Sequence, residues 1–437
     1  MGELLSISWP LIIAAAANMF MILSDRIVLS KYSEEALQAQ ATAISWWWTI
    51  YFTAFNIAII SRVMVGRCNG SGELKMIGPI IWQMIWFSAI LLFPLSAIAI
   101  WVVPHLFAQN LRQLGIPYLR IMLMGTPIAI AAFGALASHL AGNGKTRRVL
   151  SVVATVNVIN LLLAILLVHG IWPFPQMGIY GTAVATICSQ TMALLLFAWE
   201  FFQKNDQGIY NTTRWQFDGK LFYSLWKIGL PNALSAFFTW ALWSCMYQVA
   251  AIYAPGNHFT TLIVGHSIFS GMFFLVEGLS QGTGVVCAHA YGAKEWHIMA
   301  RCSRSWICIL SMECLISSLF LIFYPRPLIA IILPRNADLA IVPLIEKMLI
   351  FMWLMLFTSG CSNCLRNQLT VIGDTKFILW GNLFLYTFCN FFLSYLALRY
   401  GHNILLAAAA WIFYYTIFSI ACHRRLRIFF RKCPAEK

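Results

Sequence analysis

Apolar runs separated by short polar turns recur along the whole chain, and about 20 consecutive apolar residues suffice to carry a helix across the hydrocarbon core of a bilayer. The runs fall at approximately 6–30, 41–66, 77–104, 114–141, 148–170, 178–203, 220–253, 258–288, 303–324, 340–366, 376–398 and 403–422. This predicts an all-α integral membrane fold of twelve transmembrane helices. Continuous runs of this length exclude a barrel of short alternating strands.

The pattern is also duplicated. Gly66-Arg67-Cys68-Asn69-Gly70-Ser71-Gly72-Glu73 closes one run, and Ala288-His289-Ala290-Tyr291-Gly292-Ala293-Lys294-Glu295 closes another 222 positions later. Pro10 answers Pro231 at an offset of 221, and Gly144-Lys145-Thr146 answers Gly373-Asp374-Thr375 at 229. Six spans per half is an even number, so both halves enter the membrane in the same orientation, as parallel repeats about an axis along its normal. The most polar connection runs from Gln203 to Lys220. The expected division is therefore a six-helix lobe over 1–203, a cytoplasmic linker over 204–219, and a second six-helix lobe with a basic tail over 220–437.

Composition agrees with a membrane protein: 60% of residues are hydrophobic and 10% charged, with a mean hydropathy of +0.76. Soluble domains carry about 25% charged residues. A net charge of +14 raises the question of nucleic acid, which the placement of the charges answers. Lys75, Lys145, Arg147, Arg148, Lys204, Lys220, Lys294, Arg304, Lys376 and the run Arg424, Arg425, Arg427, Arg431 share one side. The positive-inside rule then puts both termini in the cytoplasm of a multi-pass protein of the plasma (inner) membrane, with the lipid bilayer and no nucleic acid as partner. The twelve cysteines form no framework of loop pairs and read as reduced membrane cysteines.

An acid inside a span costs about 2.5–3.5 kcal/mol on insertion scales and marks a functional candidate. Asp25 leads. Asn18, Met21, Ile22 and Asp25 follow helical spacing on one face, which places Asn18 and Met21 toward a substrate cavity; the alternative reading pairs Asp25 with Arg26 or Lys31 near the interface. Glu277 and Glu313 are the acids of the second half, with Glu277 the secondary coupling candidate. Asn157 and Asn160 lie three apart and share a face, Asn157 as a cavity candidate. The run Ser45-Trp46-Trp47-Trp48 reads as an interfacial anchor before it reads as a substrate stack. Gly144-Lys145-Thr146 lacks the earlier glycine of a phosphate loop, since position 139 is His139. No nucleophile–base or metal-ligand spacing appears in the spans, so the chain reads as no enzyme, with no cofactor.

Several segments together resemble one family. They are Pro10 followed by Ser24-Asp25-Arg26-Ile27-Val28; Tyr118-Leu119-Arg120-Ile121 with Pro127; Ala141-Gly142-Asn143-Gly144-Lys145-Thr146; Asn160; Gly178-Ile179-Tyr180-Gly181-Thr182-Ala183-Val184-Ala185-Thr186; Gly278-Leu279-Ser280-Gln281; and Tyr291-Gly292-Ala293. In order and spacing, over essentially the whole chain, they resemble the multidrug and toxic-compound extrusion (MATE) family of secondary transporters.

The resemblance implies two lobes around a V-shaped central cavity, a kinking proline at Pro10, and a coupling acid at Asp25 with Asn160 and Thr186 as its polar partners. It implies an antiporter, working as a monomer, that exports amphipathic, often cationic organic compounds in exchange for protons. The sequence departs from the family at Ala164, Thr239 and Ser359, where some branches carry further acids. Because sodium wants several oxygen ligands with carboxylate charge, these losses favour the proton over Na+. Na+-coupled efflux and a lipid-linked precursor flippase of the same superfamily are the alternatives.

Overall fold

The computed structural model describes residues 2–30, 34–107, 111–254, 257–332, 339–401 and 403–432. Lys31 and the side chain of Arg26 lie outside the described residues. The described chain is helical, without a strand. In chain order the helices used below are α1 Gly2–Ser30, α2 Glu34–Ala58, α3 Ile60–Ser71, α4 Ile77–Ile90, α5 Arg112–Ala129, α6 Ala137–Gly142, α7 Thr146–His169 and α8 Ile179–Phe201. They continue with α9 Lys204–Tyr210, α10 Gly219–Tyr253, α11 Asn257–Gly292, α12 Trp296–Ser318, α13 Val342–Ile372, α14 Thr375–Leu385 and α15 Ile404–Lys432.

Eleven described helical stretches are long and apolar enough to cross a membrane. The seventh expected span, α10, has 35 residues but is not among the eleven, because Asn232, Ser235, Thr239 and Ser244 dilute its apolar run. Three of these have buried or half-buried work. Asn232 Nδ2 donates to Asn56 Oδ1 at 3.2 Å, and Ser235 and Thr239 take part in a cluster described below. The polar residues that weaken α10 as a hydrophobic signal thus hold it to its neighbours.

The duplication persists in local geometry. Two of the turns between spans are closed by a left-handed residue at matching positions, Gly72 (φ 78°) and Lys294 (φ 62°), which stand 222 residues apart. The turns at Gly144 (φ 75°) and Gly373 (φ 86°) are likewise both left-handed, at an offset of 229. In each of the latter, the residue after the glycine donates its N–H to a carbonyl five residues back, Lys145 to Leu140 at 2.8 Å and Asp374 to Leu369 at 3.0 Å, the wrap that ends a helix on a left-handed glycine. Five-residue π-helical stretches at Ile98–Val102 and Leu319–Phe323 are 221 residues apart.

Two compact units are present, one comprising Ile13–Ala233 with Gly292–Lys294, the other residues 1–12, Leu234–Tyr291 and Glu295–Lys437. We call them the amino-half and carboxy-half units. The core of the amino-half unit holds Ile81, Met84, Tyr118, Phe197 and Phe201. Within it α7 and α8 touch backbone to backbone, since a Cβ on Gly181 would lie 2.8 Å from the Leu167 carbonyl carbon. In the carboxy-half unit Trp306, Trp411 and Phe418 are fully buried, and Gly278 and Gly282 of α11 receive the backbone of α1 at Ile12 and Ser8.

The segment 204–219 is bonded along its length to α4. Trp82 Nε1 donates to the Thr212 carbonyl at 2.7 Å, Trp86 Nε1 to that of Trp215 at 2.9 Å, and Gln83 Nε2 to that of Gln216 at 3.1 Å, while Gln83 Oε1 accepts the Asp218 N–H at 3.1 Å. Asp218 then caps α10 by accepting the N–H groups of Lys220 and Leu221.

Each unit carries an ion pair at its matching turn. In the amino-half unit Lys145 Nζ lies 3.0 Å from Asp206 Oδ2. In the carboxy-half unit Arg425 Nε lies 2.6 Å from Asp374 Oδ2, so part of the basic terminal run is committed to packing. The His139 ring, facing Asp206 at 3.7 Å and so beyond hydrogen-bond reach, together with the Lys145 ammonium holds the Asp206 carboxyl down at about 2. A depressed carboxyl stabilises the fold fully above its ordinary value of 3.8 and loses that contribution as pH falls through about 2. Protection of the α9 amides, measured against their intrinsic exchange rates, should therefore hold down to mildly acidic pH and fall toward pH 2, and Asp206→Asn should lower it already at neutral pH. Unchanged exchange in that variant would show that α9 is held by other contacts.

Candidate functional site

α1 carries Asp25 in the amino-half unit, buried to 7% exposure, with Oδ1 lacking any hydrogen-bond partner. Among the described residues no ion pair or hydrogen bond reaches this carboxyl group. An unpaired carboxylate out of water is costly, so the group is suited to accept and release a proton.

Buried polar groups of the same unit come from four other helices. Tyr118 of α5, 1% exposed, lies within electrostatic reach of Asp25. Gln40 of α2 is also 1% exposed and lies against the Tyr118 side chain. On α8, Thr186 Oγ1 donates to the Thr182 carbonyl at 2.9 Å and accepts from Asn160 Nδ2 of α7 at 3.4 Å. Asn160 is fully buried, with Oδ1 unpartnered.

The structure joins Asn160 to Thr186 directly but forms no hydrogen bond from either to Asp25. Asn157 Nδ2 donates to Asn18 Oδ1 at 3.3 Å, linking α7 to α1 on the side where Asn18 is exposed and Met21 half-buried. Pro10 lies inside a continuous α1. Ala164 is fully buried against Leu167 and Ala185.

Gln40 and the approach of Tyr118 to Asp25 are not apparent in the sequence. Gln40 has little signal of its own, since Glu34, Glu35 and Gln38 make its stretch polar. Tyr118 stood in a quoted motif, but its approach to Asp25 depends on helix packing. The tryptophan run divides: Trp46 is exposed, while Trp47 is buried, stacks on Tyr51 at 4.8 Å and donates Nε1 to Thr126 Oγ1 at 2.9 Å. Trp47 is a core residue of the amino-half unit.

Asn160 has a counterpart 222 residues on, Asn382. Its Nδ2 donates to Ser235 Oγ at 2.8 Å and to Thr239 Oγ1 at 2.7 Å, and Tyr414 donates its hydroxyl to Asn382 Oδ1. This cluster is neutral and its amide is satisfied on both sides. Ser359 is fully buried and donates to its own helix at Leu356. Glu277 is half-buried, and its Oε1 accepts from Gln281 Nε2 at 2.7 Å.

A duplicated bundle of apolar helices enclosing a buried acid that no described residue pairs is the plan of a helical membrane transporter. The MatE family model matches residues 10–166 and 231–396, one stretch in each half, and the chain belongs to this multidrug and toxic-compound extrusion family. Its members are transporters, so this protein is one and not an enzyme.

The chain is 25% identical to the "Probable multidrug resistance protein NorM" of Acinetobacter baylyi, over 96% of this chain and 93% of that protein. It is 25% identical to "Multidrug resistance protein PmpM" of Pseudomonas aeruginosa (88% and 81% covered), and 22% identical to a NorM protein of Thermotoga maritima (86% and 83% covered). A solved multidrug resistance MATE family transporter in an outward-facing conformation superposes with a TM-score of 0.87 at 17% identity, over 99% of this chain and 96% of that one. A MOP superfamily transporter from Pyrococcus furiosus gives 0.86 at 18% identity, with the same coverage. These structures share the fold.

Proposed function

We propose that the protein is a secondary active antiporter that exports amphipathic, often cationic organic compounds in exchange for protons. It would work as a monomer in the plasma (inner) membrane with both termini cytoplasmic. The observation that carries this reading is Asp25, buried beside Tyr118 and unpaired among the described residues. The relatives named as multidrug resistance proteins support drug export as the activity. Asn160 and Thr186 line the same unit and would accept or donate hydrogen bonds as Asp25 changes charge. Protonation can drive a transporter only if the acid meets different surroundings in its two end states.

A proton needs one acceptor, whereas sodium needs a cage of oxygens with carboxylate charge. Position 164, where a second carboxylate would stand, is an alanine packed in an apolar cluster. Purified protein in proteoliposomes should therefore export a cationic dye when a pH gradient is imposed in sodium-free buffer. A steep sodium requirement at constant pH, with no response to the pH gradient, would overturn proton coupling.

A further inference from the structure

The carboxy-half unit contains a buried acid outside the repeated polar positions. Glu313 sits near the middle of the apolar stretch Trp296–Phe323, on the α12 face that also buries Trp306, Ile309, Leu310 and Ser317. That face packs on α13, where Leu310 fills the space left by Gly360. Residues Met312, Leu315 and Ile316 point the other way and are exposed, as a lipid-facing side would be. Glu313 is 9% exposed, and its Oε2 has no hydrogen-bond partner.

The titratable groups facing it are thiols. Cys314 follows it on α12, and Cys364 of α13 lies within its electrostatic reach, with Cys361 close to both. Among the described residues no Lys, Arg or His pairs with it. The donors at the same level are spent on backbone: Trp353 Nε1 and Ser317 Oγ both donate to the Cys314 carbonyl, at 2.8 and 3.0 Å. Glu277 differs, being half-buried and bonded to Gln281.

We propose that Glu313 is a second proton-binding site, in the carboxy-half unit and separate from Asp25. Among the described residues a carboxylate placed there has no counter-ion, and its Oε2 has no donor, so taking up a proton from water removes the cost of the isolated charge. The step is reversible: the proton adds to a carboxylate oxygen and later returns to water, with no bond to substrate. The link to transport rests on the proton-antiport reading; proton binding itself does not.

A hydrophobic carbodiimide tests it, because it condenses with a protonated carboxyl group to leave a stable N-acylurea that peptide mass spectrometry locates. In the full-length wild-type protein in liposomes, Glu313 should carry the adduct near neutral pH. Labelling should fall about tenfold per pH unit once the carboxyl ionises. Asp25→Asn should leave that labelling unchanged. Glu313→Gln should abolish it and lower the protons moved per substrate, and Glu313→Asp should restore part of both.

Absence of the adduct at every pH, or labelling that ignores pH, would overturn the proposal, and the wild-type measurement decides this even if Glu313→Gln fails to fold. PH-dependent labelling in a protein whose efflux ignores the pH gradient would support the site while refuting proton-driven antiport.

Discussion

Asp25→Asn is expected to reduce efflux to the level of empty vesicles while leaving the amount of folded protein in the membrane unchanged. Asparagine has nearly the shape of aspartic acid, so the packing of α1 beside Tyr118 survives, but the amide cannot take up and release a proton. No other described acid in the amino-half unit is buried in mid-helix without a partner; Asp206 is paired with Lys145, and Glu200 with Arg148. Glu277→Gln is the matching control. Its carboxyl is half-buried and bonded to Gln281, so most transport should remain. If Glu277→Gln alone eliminated coupled efflux in well-expressed protein, the coupling acid would lie in the carboxy-half unit.

Gly278→Leu should have the largest effect on stability. A Cβ at Gly278 would lie 2.5 Å from the Ile12 backbone nitrogen, so a side chain there must displace the main chain of α1 within the carboxy-half unit. Forcing excess volume into a packed site costs about 1–3 kcal/mol and more when backbone must move. Purified Gly278→Leu should aggregate on size exclusion or unfold several degrees below the wild type. Gly284→Ala supplies the contrast, since its Cβ would meet Asn367 at an ordinary 3.7 Å. Equal stability of the two variants would show that α1 yields without cost.

Spans, duplication and leading acid were readable from the sequence because each leaves a side-chain signature: long apolar runs, repeated turn residues, a lone Asp in an apolar helix. The bonds that fasten 204–219 to α4 leave almost none, because Trp82, Gln83 and Trp86 find their partners mainly among backbone carbonyls of a polar stretch. Span seven is a weaker apolar run than the others for a related reason. Its polar residues look like interruptions until Asn56 and Asn382 are placed beside them. Gln40 and Tyr118 became part of the site only when α2 and α5 were brought to α1. Glu313 was visible as an acid in a span, yet only packing distinguishes it from Glu277, whose partner lies four residues along its own helix.

The two turn clamps have opposite electrical sense. In the first half the turn supplies the cation, Lys145, and the later segment the anion, Asp206; in the second half the turn supplies the anion, Asp374, and the closing helix the cation, Arg425. A chain made of two similar bundles risks wrong assembly during synthesis, when a turn from one copy meets the closing segment of the other. With these polarities, Lys145 would face Arg425 and Asp374 would face Asp206, and both mismatches repel. A reversal of this kind would disfavour swapped assembly, as a repulsive element of the kind that specificity requires. Exchanging the first pair, Lys145→Asp with Asp206→Lys, keeps an ion pair in the correct fold but makes the two halves electrically alike. The expected result is a smaller monodisperse fraction after membrane insertion, with normal thermal stability in the molecules that do fold; an undiminished yield would show that sequence order alone keeps the copies apart.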